Sequence, residues 1–136
     1  EKRLEQLEEN LKRLRVSNAV CRQIDWQEPP ADLPQFDAIL LDVPCSNTGV
    51  MRRRVDVRWR LQPYDFGRQT KVQAELLANA ANHLKPGGRI VYSTCSIDRE
   101  ENEDIVEKSG FRIEKTVRSL PWQDGFDGAF ACLLRP

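Results

Sequence analysis

Apolar residues recur at helical spacing in two long stretches of the chain. Near the start they stand three or four positions apart among charged residues, which predicts an amphipathic helix over residues 1–15. A second helix is predicted from Pro63 or Tyr64 to Leu84. Its predicted buried stripe consists of Val72, Leu76, Leu77, Ala80, Ala81 and Leu84. A third, shorter helix is predicted from Asp98 to about Lys108.

Short apolar runs between and after these helices predict five strands. They are Ala19–Ile24, Asp37–Leu41, Arg89–Ser93, Phe111–Val117 and Ala129–Leu134. The segment between the second and third is long enough for a crossover helix, so these two strands should be parallel neighbours. The connection between the last two is too short for such a helix, so that pair should be antiparallel. The order of elements predicts an α/β fold with a mostly parallel sheet and an antiparallel strand near one edge.

A glycine pair stands where the long helix should end. The run from Lys85 to Gly88 reads KPGG, and glycine pairs also occur in phosphate-binding loops. Such loops precede a helix, whereas this run precedes a strand. We therefore interpret it as a turn from helix to strand.

Composition narrows the class of protein. The 136 residues fit one domain, and the net charge of zero gives no global signal for a nucleic-acid partner. No apolar run approaches the roughly 20 residues of a membrane span. Four cysteines without a CxxC pair, and a single histidine, argue against a zinc site and for a reducing cytoplasm. Cys21 and Cys132 fall inside predicted strands and are interpreted as buried thiols.

The other two cysteines each follow a predicted strand. Cys45 lies in the run DVPCSNTG, which begins at Asp42, and Cys95 lies in the run STCS, residues 93–96. Ligands of open α/β sheets bind at the carboxyl ends of the strands. If the two strands are parallel neighbours about 4.8 Å apart, the two sulfurs should lie within about 10 Å of each other. The alternative is two ordinary strand-end thiols.

A thiol is a nucleophile only as its thiolate, which helix N-termini and nearby cations stabilise. Because Cys95 precedes the helix predicted near Asp98, the helix dipole is expected to lower the pKa of its thiol.

One stretch concentrates positive charge. Arg52, Arg53, Arg54 and Arg58 follow the Cys45 run, and Trp59 stands among them. Arginines suit RNA phosphates and an exposed aromatic suits stacking on bases, so the stretch is a candidate RNA-binding segment. A solvated loop, partly neutralised by an aspartate, is the alternative. The other large aromatics, Trp26, Trp122 and Phe111, are interpreted as packing residues.

The two cysteine runs together resemble the Nop/Sun-type RNA cytosine-5 methyltransferase family. The runs KPGG, EEN at residues 100–102 and DGFDG at residues 124–128 also match its pattern, so the resemblance covers almost the whole chain. It implies a Rossmann-like domain that uses S-adenosylmethionine to methylate C5 of a cytosine in RNA, with ribosomal RNA favoured over transfer RNA.

The resemblance also implies roles for individual residues. Cys95 would be the nucleophile that adds to C6 of the base, and Cys45 the second thiol that helps break the covalent adduct. Asp42 would bind the polar edge of the cytosine and lie near the cofactor. Asp25 matches the family's acidic contact to the adenosine part of the cofactor; the alternative is a solvated strand-end carboxylate. No metal is implied.

The chain departs from the family pattern at its beginning. The family's glycine-rich cofactor loop and first two strands would lie before Glu1, so residues 1–136 are expected to form a partial catalytic domain. Such a piece is expected to bind the cofactor weakly or not at all. Two other interpretations remain open: a catalytically silent RNA-binding module on the same fold, and a thiol redox protein, which a reversible disulfide between Cys45 and Cys95 would favour.

Overall fold

Four strands form one mixed sheet in the computed structural model, which describes residues 2–136. They are Phe36–Asp42 (β1), Leu84–Thr94 (β2), Arg112–Ser119 (β3) and Ala129–Arg135 (β4). The strands lie in the order β1-β2-β4-β3. As predicted, β1 and β2 are parallel neighbours and β3 pairs with β4 in antiparallel fashion.

Five helices accompany the sheet among the described residues. They are Lys2–Arg13 (α1), Val57–Arg60 (α2), Pro63–Asn82 (α3), Glu103–Lys108 (α4) and Pro121–Asp124 (α5). Single 3-10 turns at Thr48–Val50 and Arg99–Glu101 complete the order of elements. Pro63 at the first turn of α3 and a reciprocal capping pair between Gln62 and Asp65 fix where the longest helix begins. Within residues 2–136, no helix has the length and apolar character needed to cross a bilayer.

The core lies on one face of the sheet, where α3 and α4 cover β2 and β4. Ile90, Tyr92, Phe130 and Leu134 are each at most 1 % exposed and belong to one cluster with residues of α3 and α4. The Tyr92 and Phe130 rings pack edge to face with centroids 6.4 Å apart. This packing fixes the carboxyl end of β2, from which the STCS run leaves the sheet.

The sheet differs from the prediction in two respects. Only one of its three pairings is parallel, because β4 inserts between β2 and β3 and runs antiparallel to both. The predicted strand Ala19–Ile24 is wrong: these residues join no sheet, and Val20 is 88 % exposed. A strand needs a neighbour for its backbone hydrogen bonds, and the described sheet ends at β1, where Leu40 is 73 % exposed.

Two predicted helices also differ from the helices in the structure. The long helix stops at Asn82, and Leu84 already belongs to β2. The KPGG run makes a turn-like irregularity in β2, where the register shifts and Gly87 has a φ of 74°. The predicted helix from Asp98 to Lys108 divides at Asn102, whose φ of −113° and ψ of −95° are not helical.

Candidate active site

Two thiols meet where β1 and β2 leave the sheet. The register aligns Asp42 with Ser93, so the segments that follow start side by side at the same edge. The sulfurs of Cys45 and Cys95 are 3.2 Å apart, which confirms the expectation that they lie within about 10 Å. Both thiols are free. Parallel pairing, not closeness in sequence, therefore brings the two cysteines together.

Asn47 links the two thiol segments. Its backbone is left-handed, with a φ of 65°, a conformation that asparagine adopts more readily than most residues. Its side-chain N–H donates to the carbonyl oxygen of Cys45 at 2.8 Å, and its side-chain oxygen accepts a hydrogen bond from the Cys95 thiol at 3.2 Å. The turn after Cys45 thus helps to orient Cys95.

The two thiols differ in their acid–base behaviour. A hydrogen bond from Cys45 is the main reason that the pKa of Cys95 is lowered to about 7, with a smaller contribution from the positive charge of Arg54. The same contact and burial raise the pKa of the Cys45 thiol. The expected helix dipole is not the cause: α4 begins at Glu103, eight positions after Cys95. The site therefore holds one acidic thiol and one thiol that stays protonated.

A close approach of two glycines locks the thiol segments to the loop before β4. The Gly49 N–H donates to the carbonyl oxygen of Cys95 at 2.9 Å, and the Gly128 N–H donates to the carbonyl oxygen of Gly49 at 2.8 Å. A Cβ atom on Gly49 would lie 2.2 Å from the Gly128 oxygen. Only glycine fits there without moving backbone, which explains glycines in both the DVPCSNTG and DGFDG runs.

An open pocket of about 490 Å³ lies beside Cys95. Asp42, Ser93, Cys95 and Phe126 are among its lining residues, whereas Cys45 is not. Asp42 is exposed and accepts a hydrogen bond from the Ser93 hydroxyl at 3.1 Å. The pocket thus offers a thiol of lowered pKa, a carboxylate and an aromatic ring to one ligand.

Comparison with known proteins places the chain in a family. The family model described as 16S rRNA methyltransferase RsmB/F matches residues 1–125. The chain belongs to this family. The resemblance to Nop/Sun-type methyltransferases is thereby confirmed.

Curated relatives and solved structures agree with this assignment. Ribosomal RNA small subunit methyltransferase B of Salmonella arizonae is 47 % identical over 96 % of this chain and 33 % of the relative. Ribosomal RNA small subunit methyltransferase F of Klebsiella pneumoniae is 40 % identical over 93 % of the chain and 27 % of the relative. The chain therefore spans about a third or less of these proteins.

The fold is shared with solved methyltransferase structures. NSun6 from Pyrococcus horikoshii, solved with SFG, superposes with a TM-score of 0.88 at 31 % identity, covering 99 % of this chain and 39 % of NSun6. A methyltransferase homologue from the same organism gives 0.83 at 26 % identity, covering 98 % of this chain and 50 % of the homologue. The RsmB/F chain thus has a Rossmann-like methyltransferase fold, as predicted.

The arginines of the RsmB/F chain flank the thiol site in two different ways. Arg52 donates to the carbonyl oxygen of Gly125 at 3.0 Å, and Arg53 pairs with Asp127 at 2.8 Å. Arg54 lies near enough to Cys95 to lower its pKa, and Arg58 is exposed on α2. The segment thus combines loop-holding contacts with exposed positive charge.

Asp25 lies in a local turn instead of at a strand end. Its carboxylate accepts the Gln27 N–H at 2.9 Å, and the next turn docks on α3 through Asn79, which donates to the Trp26 carbonyl at 2.8 Å. Trp26 also packs against the core. In the described chain, none of these contacts brings Asp25 to the thiol site.

The described residues supply only two carboxylates for an S-adenosylmethionine site. Asp25 and Asp42 are both exposed carboxylates, and the described residues contain no glycine-rich turn from a strand into a helix. Small ligands bind where most of their surface is enclosed. The described residues therefore do not by themselves form a cofactor cradle.

Two other side chains depart from their predicted surroundings, Cys21 and Trp122. Cys132 is fully buried in β4 as predicted, but Cys21 is only partly buried and lies outside any strand. Phe111 packs against the core, whereas Trp122 is 66 % exposed, so its interpretation as a packing residue is wrong. Its short helix α5 has no buried residue.

A buried polar cluster beneath the thiols was not predicted. Glu101 and Gln73 are fully buried, and the Glu101 carboxylate accepts hydrogen bonds from Gln73 and Ser46. The sequence carried a signal for both: Gln73 shares the α3 stripe with Leu76 and Leu77, and Glu101 stands four positions before buried Ile105. A polar side chain on an apolar stripe needs a buried partner.

Proposed function

We propose that this protein methylates C5 of a cytosine in RNA through a covalent adduct between Cys95 and the base. The observation that carries the proposal is the pair of thiols 3.2 Å apart, one with a pKa lowered to about 7 and the other with a raised pKa. A reaction that needs one nucleophilic thiolate and one proton-donating thiol matches this pair. Membership of the RsmB/F family supports the same reaction.

The reaction begins with attack by the thiolate. The Cys95 sulfur bonds to C6, and the C5–C6 electron pair shifts toward C5 and the ring, which makes C5 nucleophilic. S-adenosylmethionine supplies the methyl group that C5 takes. The C5 proton then passes to solvent, its bonding electron pair restores the C5–C6 double bond, and Cys95 leaves as a thiolate.

Cys45 assists the departure of Cys95. A thiolate leaves faster when its conjugate thiol has a lower pKa, and the hydrogen bond from Cys45 lowers that of Cys95. Asp42 borders the pocket and binds the polar edge of the cytosine, where charge develops during attack. The site thereby stabilises the charge that develops on the base when Cys95 attacks, and the thiolate that forms when Cys95 leaves.

RNA is held by Arg52, Arg53, Arg54 and Arg58. The Arg53 side chain that pairs with Asp127 is 82 % exposed, and ion pairs at the surface contribute only about 0–1 kcal/mol, so a phosphate can replace this contact. Trp59, 84 % exposed, offers a surface for base stacking. Ribosomal RNA is the proposed substrate because the curated relatives are named ribosomal RNA methyltransferases.

The cofactor cradle is completed by sequence outside residues 1–136. Two observations support this: the chain spans 33 % or less of the curated relatives cited above, and its own carboxylates leave the cofactor unenclosed. NSun6 was solved with SFG, an analogue of S-adenosylmethionine, which supports that cofactor for the whole protein.

Covalent capture of RNA tests the two thiol roles. In the full-length protein with S-adenosylmethionine, Cys95→Ala should abolish the denaturant-resistant complex with cytosine-containing RNA. Cys45→Ala should instead make that complex accumulate, because attack continues while release slows. Cys132→Ala, which removes a buried thiol outside the site, is the control.

The reverse pattern would show that the thiol roles are exchanged. A second candidate function, a catalytically silent RNA-binding module, is favoured by the incomplete cofactor cradle. A silent module of this kind would bind RNA but form no covalent complex, even with both Cys45 and Cys95 present.

A further inference from the structure

Two consecutive buried residues each hold the backbone next to one thiol. Glu101 and Asn102, at the junction between the 3-10 turn and α4, are both fully buried. Their side chains contact different segments: Glu101 contacts the segment of Cys45, and Asn102 contacts the segment of Cys95. Neither residue lines the pocket beside Cys95, so any effect on the reaction must act through the thiol segments.

The Cys45 segment is held on both sides of the cysteine. The Glu101 carboxylate accepts the Ser46 N–H at 2.9 Å and the Ser46 hydroxyl at 2.5 Å. Gln73 donates to the carbonyl oxygen of Pro44 at 2.9 Å and to the Glu101 carboxylate at 3.1 Å. Because these bonds are buried, where a polar group without a partner is costly, they restrict where the Cys45 backbone can lie.

The Cys95 segment has separate supports. The Asn102 side-chain oxygen accepts the Thr94 hydroxyl at 2.6 Å, and its N–H donates to the carbonyl oxygen of Ser96 at 3.0 Å. Cys95 is further fixed by the pairing of β2 on both sides, which extends to Ser93 and Thr94. Loss of Glu101 therefore removes support from the Cys45 segment and leaves the Asn102 contacts and the strand pairing of the Cys95 segment in place.

We propose that Glu101 is a positioning residue that holds Cys45 against Cys95 and thereby controls release of the covalent adduct. The proposal rests on the proposed function, since release is the step assigned to Cys45. A thiol donor moved by about 1 Å loses its hydrogen bond, and misplacements of this size cost about 10- to 100-fold in rate. We therefore expect release to slow by that factor when Glu101 is truncated.

Glu101→Ala tests the proposal in the full-length protein with cytosine-containing RNA and S-adenosylmethionine. The denaturant-resistant RNA complex should accumulate, as in Cys45→Ala, while turnover falls about 10- to 100-fold. Glu101→Gln should restore turnover, because its amide oxygen still accepts the Ser46 and Gln73 N–H groups and the Ser46 hydroxyl can accept from its NH₂.

Asn102→Ala is the matched control, since Asn102 is equally buried and adjacent. It disturbs the Cys95 side, so the covalent complex should decrease. If Glu101 only stabilised the fold, Glu101→Ala and Asn102→Ala would both lose the covalent RNA complex in proportion to turnover. That result would overturn the proposal. If Glu101→Ala does not fold, Gln73→Met removes the second support of the Cys45 segment and should give the same accumulation in milder form.

A second measurement does not depend on methylation. Displacing the Cys45 thiol should raise the pKa of Cys95, so the midpoint of its alkylation rate against pH should move upward in Glu101→Ala and stay in place in Glu101→Gln. An unmoved midpoint in Glu101→Ala would overturn the proposal. If Cys45→Ala fails to accumulate the complex while the midpoint moves, the release role of Cys45 fails and the positioning role of Glu101 stands.

Discussion

The hydrogen bond between the two thiols makes a quantitative prediction about Cys45→Ala. With a pKa of about 7, half of Cys95 is thiolate at about pH 7. The variant loses the largest cause of that lowering, and a return to the ordinary value of 9.0 would leave about 1 % thiolate. The reactive fraction at about pH 7 should therefore fall by about 50-fold.

The observed rate should fall by less than this, because a more basic thiolate is a better nucleophile. With a Brønsted coefficient of about 0.4–0.5, a pKa rise of about two units increases the rate constant of each thiolate about six- to tenfold. Alkylation of Cys95 at about pH 7 should thus slow only about five- to eightfold. At high pH, where both proteins are ionised, the variant should react about six to ten times faster, so the two profiles must cross.

The assay is the rate of iodoacetamide labelling of the peptide that contains Cys95, followed by mass spectrometry across pH. Cys21→Ser is the control, since Cys21 lies outside the thiol site and its loss should leave the Cys95 profile unchanged. A midpoint that stays near 7 in Cys45→Ala would refute the account, because the main cause of the low pKa would then lie elsewhere.

Two further predictions concern packing and the cofactor. Gly49→Ala should lower the free energy of unfolding by about 1–3 kcal/mol in denaturant titrations, because its Cβ would meet the Gly128 carbonyl. Gly67→Ala on α3, where a Cβ meets nothing within 4 Å, should raise it by about 0.5–1 kcal/mol, and equal effects would contradict the account. In titration calorimetry the 136-residue chain should bind S-adenosylmethionine weakly or not at all, since Asp25 and Asp42 leave it unenclosed. Micromolar binding would mean that residues interpreted as packing form the cradle.

The thiol site could be predicted from sequence because it depends on strand pairing. Apolar runs before Asp42 and Ser93, with a helical segment between them, were enough to predict parallel neighbours. Once the strands are parallel neighbours, their carboxyl ends lie at one edge, and the side chains that follow must converge. The 3.2 Å approach of the sulfurs adds detail that strand spacing alone does not give.

The errors have physical causes of a different kind. Residues 19–24 have the composition of a strand, but a strand forms only where a neighbour supplies hydrogen-bond partners. The helix expected after Cys95 is interrupted because the Asn102 side chain turns inward to bind Thr94 and Ser96. Local propensity does not report such side-chain contacts, which here join Asn102 to residues 6 and 8 positions earlier in the chain.

Exposure distinguishes two cysteines that sequence makes nearly equivalent. Both follow parallel strands and both stand among small polar residues, so strand position alone assigns neither as the nucleophile. Cys45 is only 7 % exposed and is absent from the pocket lining, whereas Cys95 lines the pocket that contains Asp42. A nucleophile must reach its substrate, and a proton donor to the departing sulfur needs only to reach that sulfur. The geometry therefore supports attack by Cys95 and assistance by Cys45 independently of the family resemblance.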